Sequence, residues 1–151
     1  MDFNQFDSRK ASEKPRKLHL KHPGTGKLLF DGGTEYDPQK PCCVLVLGIE
    51  GETGQAAILE SQRARMKEDR SAGEPVTVET IHANLVKDFA PLVVGFENIS
   101  RGNKAAKAPD DVEWFLNLQV VNGNRAQKSF VEQVRDFATD RAAILGNESA
   151  S

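Results

Sequence analysis

Glycines flank a threonine and precede a lysine in Pro23-Gly24-Thr25-Gly26-Lys27, residue types with which a phosphate-binding loop cradles its ligand. The full pattern also needs a glycine where Lys21 stands, a serine or threonine where Leu28 stands, and a following helix that aims amides at phosphate. All three are missing, so the stretch is read as the turn of a β-hairpin. Gly48, Gly51 and Gly54 repeat as G-x-x-G-x-x-G, which is not the dinucleotide fingerprint, and no β-α-β crossover is expected around them.

His19 and His22 fall three apart on an expected strand, where side chains alternate faces, so the spacing opposes a shared metal. His82 stands alone on an expected helix with no nucleophile nearby in sequence. Cys42 and Cys43 are adjacent and lack further cysteine partners for a tetrahedral site; they are read as two reduced thiols at the start of a strand. The acidic pairs Glu68-Asp69 and Asp110-Asp111 fit solvated surface and helix capping. The expectation is a protein that is not an enzyme, with no catalytic, cofactor-binding or metal-binding residue.

Recognition is better represented. Arg101, Lys104 and Lys107 make Ser100 to Pro109 a basic loop, but no aromatics are interleaved to turn that charge into nucleic-acid readout. Trp114 and Phe115 are neighbours, so one is expected in the core and the other towards solvent or a partner, with a fully buried Trp114 as the equal alternative.

The elements that position these residues follow from pattern. Residues 1–17 hold too little apolar surface to offset ordering and are expected to form a flexible arm, with Phe3 and Phe6 its only aromatics. Leu18 to Phe30 reads as a hairpin, and Cys42 to Glu50 as a strand pairing with it. Thr53 to Arg70 reads as a mostly solvated helix with a thin stripe of Ala56, Ala57, Leu59 and Met66, stopped at Gly73-Glu74-Pro75. Val78, Ile81, Leu85 and Phe89 predict one apolar face of a second helix, from about Thr77 to before Pro91. Leu92 to Phe96 reads as a buried strand or an extended crossing.

Asp110 or Asp111 is expected to cap a helix carrying Val112, Phe115, Leu116 and Val120 and ending at Asn122-Gly123. A final helix is predicted from Gln127 to Leu145, stopped by Gly146, so that the last two helices form a hairpin. The fold class expected is α+β: a small antiparallel sheet packed with about four helices in a single domain over 18–146, with 147–151 as a tail.

The bulk properties agree. A chain of 151 residues fits one domain, since domains usually take roughly 100–200 residues. Twenty basic against 22 acidic residues leave a net charge of -2, which supplies no general field for nucleic acid. Mean hydropathy is -0.49, and no run approaches the roughly 20 apolar residues that cross a bilayer. A cytoplasmic location without membrane association is expected.

The order of the early hairpin, the strand at Cys42 to Glu50, the charged helix, Leu92-Val93-Val94-Gly95-Phe96-Glu97-Asn98, Phe130-Val131-Glu132-Gln133-Val134 and Asp140-Arg141-Ala142-Ala143-Ile144-Leu145-Gly146 resembles the tail assembly chaperones of long-tailed bacteriophages and prophages. The likeness covers roughly Leu18 to Gly146, and Phe96 stands where that family commonly has tryptophan. It implies a non-enzymatic protein of the host cytoplasm, absent from the mature virion. Such a protein binds the tape measure protein, keeps its apolar helices from aggregating and helps recruit tail tube subunits. A homo-oligomer is expected, with Phe96, Arg101, Trp114 and Phe115 as candidate partner-binding residues. The alternative is a structural subunit of the virion, in the tail or the head-tail junction. A small nucleic-acid or regulatory module working through Arg101 is the third.

Overall fold

Strand β2 (Cys43–Val46) is the middle of a three-stranded antiparallel sheet, with β1 (Arg16–His19) on one side and β3 (Val93–Glu97) on the other. The structure, a computed structural model, describes residues 1–68 and 76–146. The register sets Leu18 opposite Val44 and Val44 opposite Phe96, so a row of apolar side chains crosses the inner face. On the other face Leu45 lies over Gly95, where a β-carbon would come within 2.8 Å of Leu45 Cδ1. Helices cover the inner face and complete a core that includes Leu20, Val46, Phe89, Leu92, Phe115 and Val134. The architecture is the α+β one expected, with more and shorter helices.

The hairpin predicted over Leu18 to Phe30 is reduced to an isolated antiparallel bridge between Lys21 and Leu28, and its turn is closed by Gly26 N–H donating to His22 O at 2.9 Å. Part of the segment expected as a flexible arm is built into the domain. Helix α1 (Ser8–Ala11) leads into β1 at Arg16, and Ser12 is fully buried. Gly48 N–H donates to Ser12 O at 3.0 Å, and a β-carbon on Gly48 would lie 2.8 Å from Ser12 Cβ, which is why glycine is needed there. Glu13 accepts from Thr53 N–H and Thr53 Oγ1–H, at 2.8 and 3.0 Å, and so caps helix α2 (Glu52–Glu68) from a distance. Phe3 and Phe6 stay exposed and pack edge to face on each other. The predicted end of α2 at Arg70, its stop at Gly73-Glu74-Pro75 and the tail 147–151 lie outside the described residues.

Helix faces differ from the sequence pattern in two places. On α2 the buried positions are Gly54 and Ala57, while Ala56, Leu59 and Met66 of the expected stripe are exposed. Helix α3 (Val78–Phe89) begins where predicted, with Thr77 Oγ1 accepting from Thr80 N–H. Its buried residues are His82, Val86 and Phe89, whereas Val78 and Ile81, predicted as core, are 52% and 50% exposed. His82 takes the inward position instead, where its Nε2 bonds Asn117 Oδ1 at 2.9 Å while its buried Nδ1 has no hydrogen-bond partner.

The C-terminal half is cut more finely than predicted. Helix α4 (Val112–Leu116) stops at Asn117, whose N–H donates to Glu113 O and whose side-chain amide does the same, so Val120 is exposed in the following connector. The single helix predicted over 127–145 is two, α5 (Phe130–Ala138) and α6 (Arg141–Leu145). Asp140 separates them: in extended conformation it caps α6 by accepting from Ala142 and Ala143 N–H. Ile49 N–H uses Ala138 O, tying the end of α5 to the sheet side. Gly146 has φ 80 and closes α6 as expected of a positive-φ glycine.

At the start of α5, Ser129 and Glu132 form a capping box, and Glu132 is only 3% exposed. Its carboxylate accepts from Ser129 Oγ–H at 2.7 Å, Ser129 N–H at 3.2 Å, and Asn122 and Gly123 N–H at 3.3 Å. Burial pushes this carboxyl up, but the converging donors outweigh it and hold the group below its ordinary value. A carboxyl whose folded value is depressed adds stability above its unfolded value and loses it as pH falls through the folded one. Glu132→Gln should therefore cost about 1–3 kcal/mol near neutral pH. In urea unfolding at descending pH, the gap between wild type and variant should narrow; a constant gap would refute an ionised Glu132.

Candidate functional site

The four residues singled out for partner binding separate into two pairs. Phe96 on β3 and Phe115 on α4 meet edge to face at 5.4 Å between ring centroids, and Phe130 at the start of α5 stacks on Phe115 at 4.9 Å and 11°. Phe115 is 1% exposed. This aromatic column joins sheet, α4 and α5 and belongs to the core. Of the neighbours Trp114 and Phe115, the phenylalanine is fully buried and the tryptophan is half-buried, packed against the edge of the core.

Arg101 and Trp114 make the second pair, with the guanidinium over the indole at 5.3 Å. The expected basic loop is a small two-stranded ribbon, β4 (Ser100–Arg101) and β5 (Lys104–Ala105), turned by Gly102 at φ 62. Asp111 anchors it: one carboxylate oxygen accepts from Lys107 N–H at 2.8 Å and the other from Arg101 Nη1–H at 3.1 Å. The Lys107 amide, then Arg101, lower its carboxyl below the ordinary value. Of Asp110 and Asp111, either of which was expected to cap α4, Asp111 takes the cap position but makes no side-chain cap bond, because its oxygens are used on Arg101 of the ribbon and on the Lys107 amide. Lys104 and Lys107 project from this anchored base into solvent.

The surface that pattern reasoning missed is apolar. Val76, Val78 and Ile81 at the start of α3, and Leu118 and Val120 after α4, are each between 46% and 77% exposed. Ile81 and Leu118 are the chain neighbours of His82 and Asn117, whose side chains bond. Leu59 and Met66 expose further apolar surface on α2, which packs against α3. Single exposed apolar residues are ordinary, whereas a grouped set is the form that an interaction surface takes. The signal was available in the sequence: a histidine at a core position of α3 implies that the neighbouring apolar positions turn outward.

The other candidates resolve into structural roles. His19 Nε2 bonds Leu29 O at 2.6 Å and its ring packs on Phe30, while His22 Nδ1 accepts from Gly24 and Thr25 N–H at 2.9 and 3.2 Å. Cys42 Sγ–H donates to Asn98 O, Cys43 is buried, and burial raises both thiols above their ordinary value. Among the described residues no group of three or more His, Cys, Asp and Glu is placed to hold a metal ion.

Compared with known proteins, the chain matches no family profile, no curated protein and no solved structure at a significant level. Among the described residues no helix is long and apolar enough to cross a membrane.

The two aromatic neighbours should behave differently when truncated. Phe115→Ala should destabilise by about 3–5 kcal/mol, as large core aromatics do. Trp114→Ala should cost clearly less in the same denaturation measurement; equal losses would contradict the assignment of one to the core and the other to the surface.

Proposed function

We propose that this chain is a non-enzymatic assembly chaperone that binds the tape measure protein of a long-tailed bacteriophage and helps recruit tail tube subunits. The observation that carries the reading is the exposed apolar set on α3 and after α4, Val76, Val78, Ile81, Leu118 and Val120. Its support in sequence is the resemblance running from Leu18 to Gly146. A chaperone that shelters the apolar face of another helix needs an accessible apolar surface on a stable frame, and groove-bound amphipathic helices dock through such surfaces.

The same surface is suited to self-association, so the reading includes a homo-oligomer in the host cytoplasm whose subunits exchange contacts with one another for contacts with the partner. The earlier candidates are redistributed under this proposal. Phe96 and Phe115 hold the frame, and Arg101 and Trp114 sit on a separate ribbon at its surface.

Coexpression with the tape measure protein tests the proposal. Soluble tape measure protein and its co-purification with the chain are expected, and Val78→Asp with Ile81→Asp should abolish both while leaving the thermal unfolding midpoint close to that of wild type. No gain in solubility with the wild-type chain would defeat it. Fixed copy number in purified particles, measured by mass spectrometry, would replace it with a structural subunit of the virion.

A further inference from the structure

We infer that the groove between the Pro23–Gly26 turn and helix α5 is a binding site for a small organic anion, a phosphate or carboxylate carried on an apolar body. The groove encloses about 410 Å³, within the range of about 300–1,000 Å³ usual for ligand pockets. Leu18 and Phe137 supply apolar wall, and Lys21, His22, Arg125 and Lys128 supply its polar rim. The site goes beyond the apolar surface on α3 and does not depend on it.

The sign of the ligand follows from which polar groups are already used. Asp136 is ion-paired to Lys128 and Arg135, and Asp140 gives only its Oδ1 to the amides of Ala142 and Ala143, so one unpaired carboxylate faces the two unpaired cations Lys21 and Arg125. The donors are in surplus. Lys21 and Arg125 enter no ion pair among the described residues. His22 also lines the groove, with its Nδ1 already taken by the amides of Gly24 and Thr25. A charged oxygen group satisfies such donors with charge-assisted bonds.

The walls are also held in place before any ligand arrives. Gln127 Nε2–H donates to Gly24 O at 3.2 Å, bridging the turn to the segment that carries Arg125. Gly26 has φ 75, and a β-carbon there would press on Ala126 O at 3.2 Å, so the two walls meet closely. Gln133 fixes the floor: its Oε1 accepts from Lys21 N–H at 2.8 Å, and its Nε2–H donates to Lys21 O at 2.9 Å and Lys128 O at 3.0 Å. Preorganisation of this kind reduces the ordering cost of binding.

Calorimetric and amide-shift titrations of the full chain with phenyl phosphate, inorganic phosphate and benzyl alcohol test the inference. Phenyl phosphate should bind saturably and more tightly than either fragment, with shifts centred on residues 21–26 and 125–128. Lys21→Glu combined with Arg125→Glu should weaken it at least about tenfold, as expected when charge-assisted bonds are lost. Lys104→Glu, a charge reversal on the distant ribbon, should leave it unchanged. Absence of saturable binding, equal affinity for benzyl alcohol, equal affinity for inorganic phosphate, or equal weakening by Lys104→Glu would each overturn it.

Discussion

The carboxylate of Glu132 is the constraint on which the C-terminal half depends. A buried charge is costly unless donors surround it, and here the donors come from the middle and the end of the connector between α4 and α5, at Asn122, Gly123 and Ser129. One side chain thus fixes the start of α5 and folds the connector back on it. Gln133, the next residue, does the corresponding task towards the sheet. It must both accept from and donate to the Lys21 backbone, so a glutamate there would face two carbonyls with no proton to offer. Two adjacent side chains with different hydrogen-bonding capacity hold loop, helix and strand extension together.

From that anchor the apolar packing follows in order. With α5 fixed, Phe130 stacks on Phe115, Phe115 meets Phe96, and Val134 joins Val44 and Val46 of the central strand in the core. The sheet is small, so its inner face alone buries little. Closure at the other end comes from polar bonds: Glu50 receives a bidentate bond from Arg141 at 2.6 and 3.0 Å, and that bond lowers its carboxyl. Glu13 caps α2 on the same flank. Much of the frame is therefore specified by a few carboxylates and amides that collect backbone groups from distant segments.

This explains which parts of the fold were legible in sequence. The α+β class, strands near Cys42 and Leu92, helix α3 with Thr77 at its start and Gly146 as a stop follow from local pattern and were read correctly. The division of the last helix was written locally too, in Ser129-Phe130-Val131-Glu132 as a capping box and in Asp140 as a second cap, but a continuous apolar period masked both. What local pattern does not carry is partnership across the chain. Glu13 with Thr53, His82 with Asn117 and Asp111 with the ribbon each join segments that no local pattern pairs. The candidate residues suffered the same fate: aromatic identity marked Phe96 and Phe115 as anchors, and only tertiary stacking shows that the anchoring is internal.

The surface divides accordingly between committed and uncommitted groups. Arg101 is engaged by the Asp111 carboxylate and by the face of Trp114, so the indole plane on that side is already covered. A base or aromatic ligand stacking there would have to displace a cation that is also ion-paired, which weakens the case for nucleic-acid binding through this ribbon. Val78 and Ile81 face no such competition: His82 occupies the buried position beside them, and polar pairing to Asn117 keeps the helix from rolling to bury them. Turning α3 to hide those side chains would break that bond and expose Val86 and Phe89. Val78 and Ile81 thus stay exposed beside a buried histidine whose Nε2 is bonded and whose Nδ1 has no partner, so the cover proposed for them has to come from outside the frame.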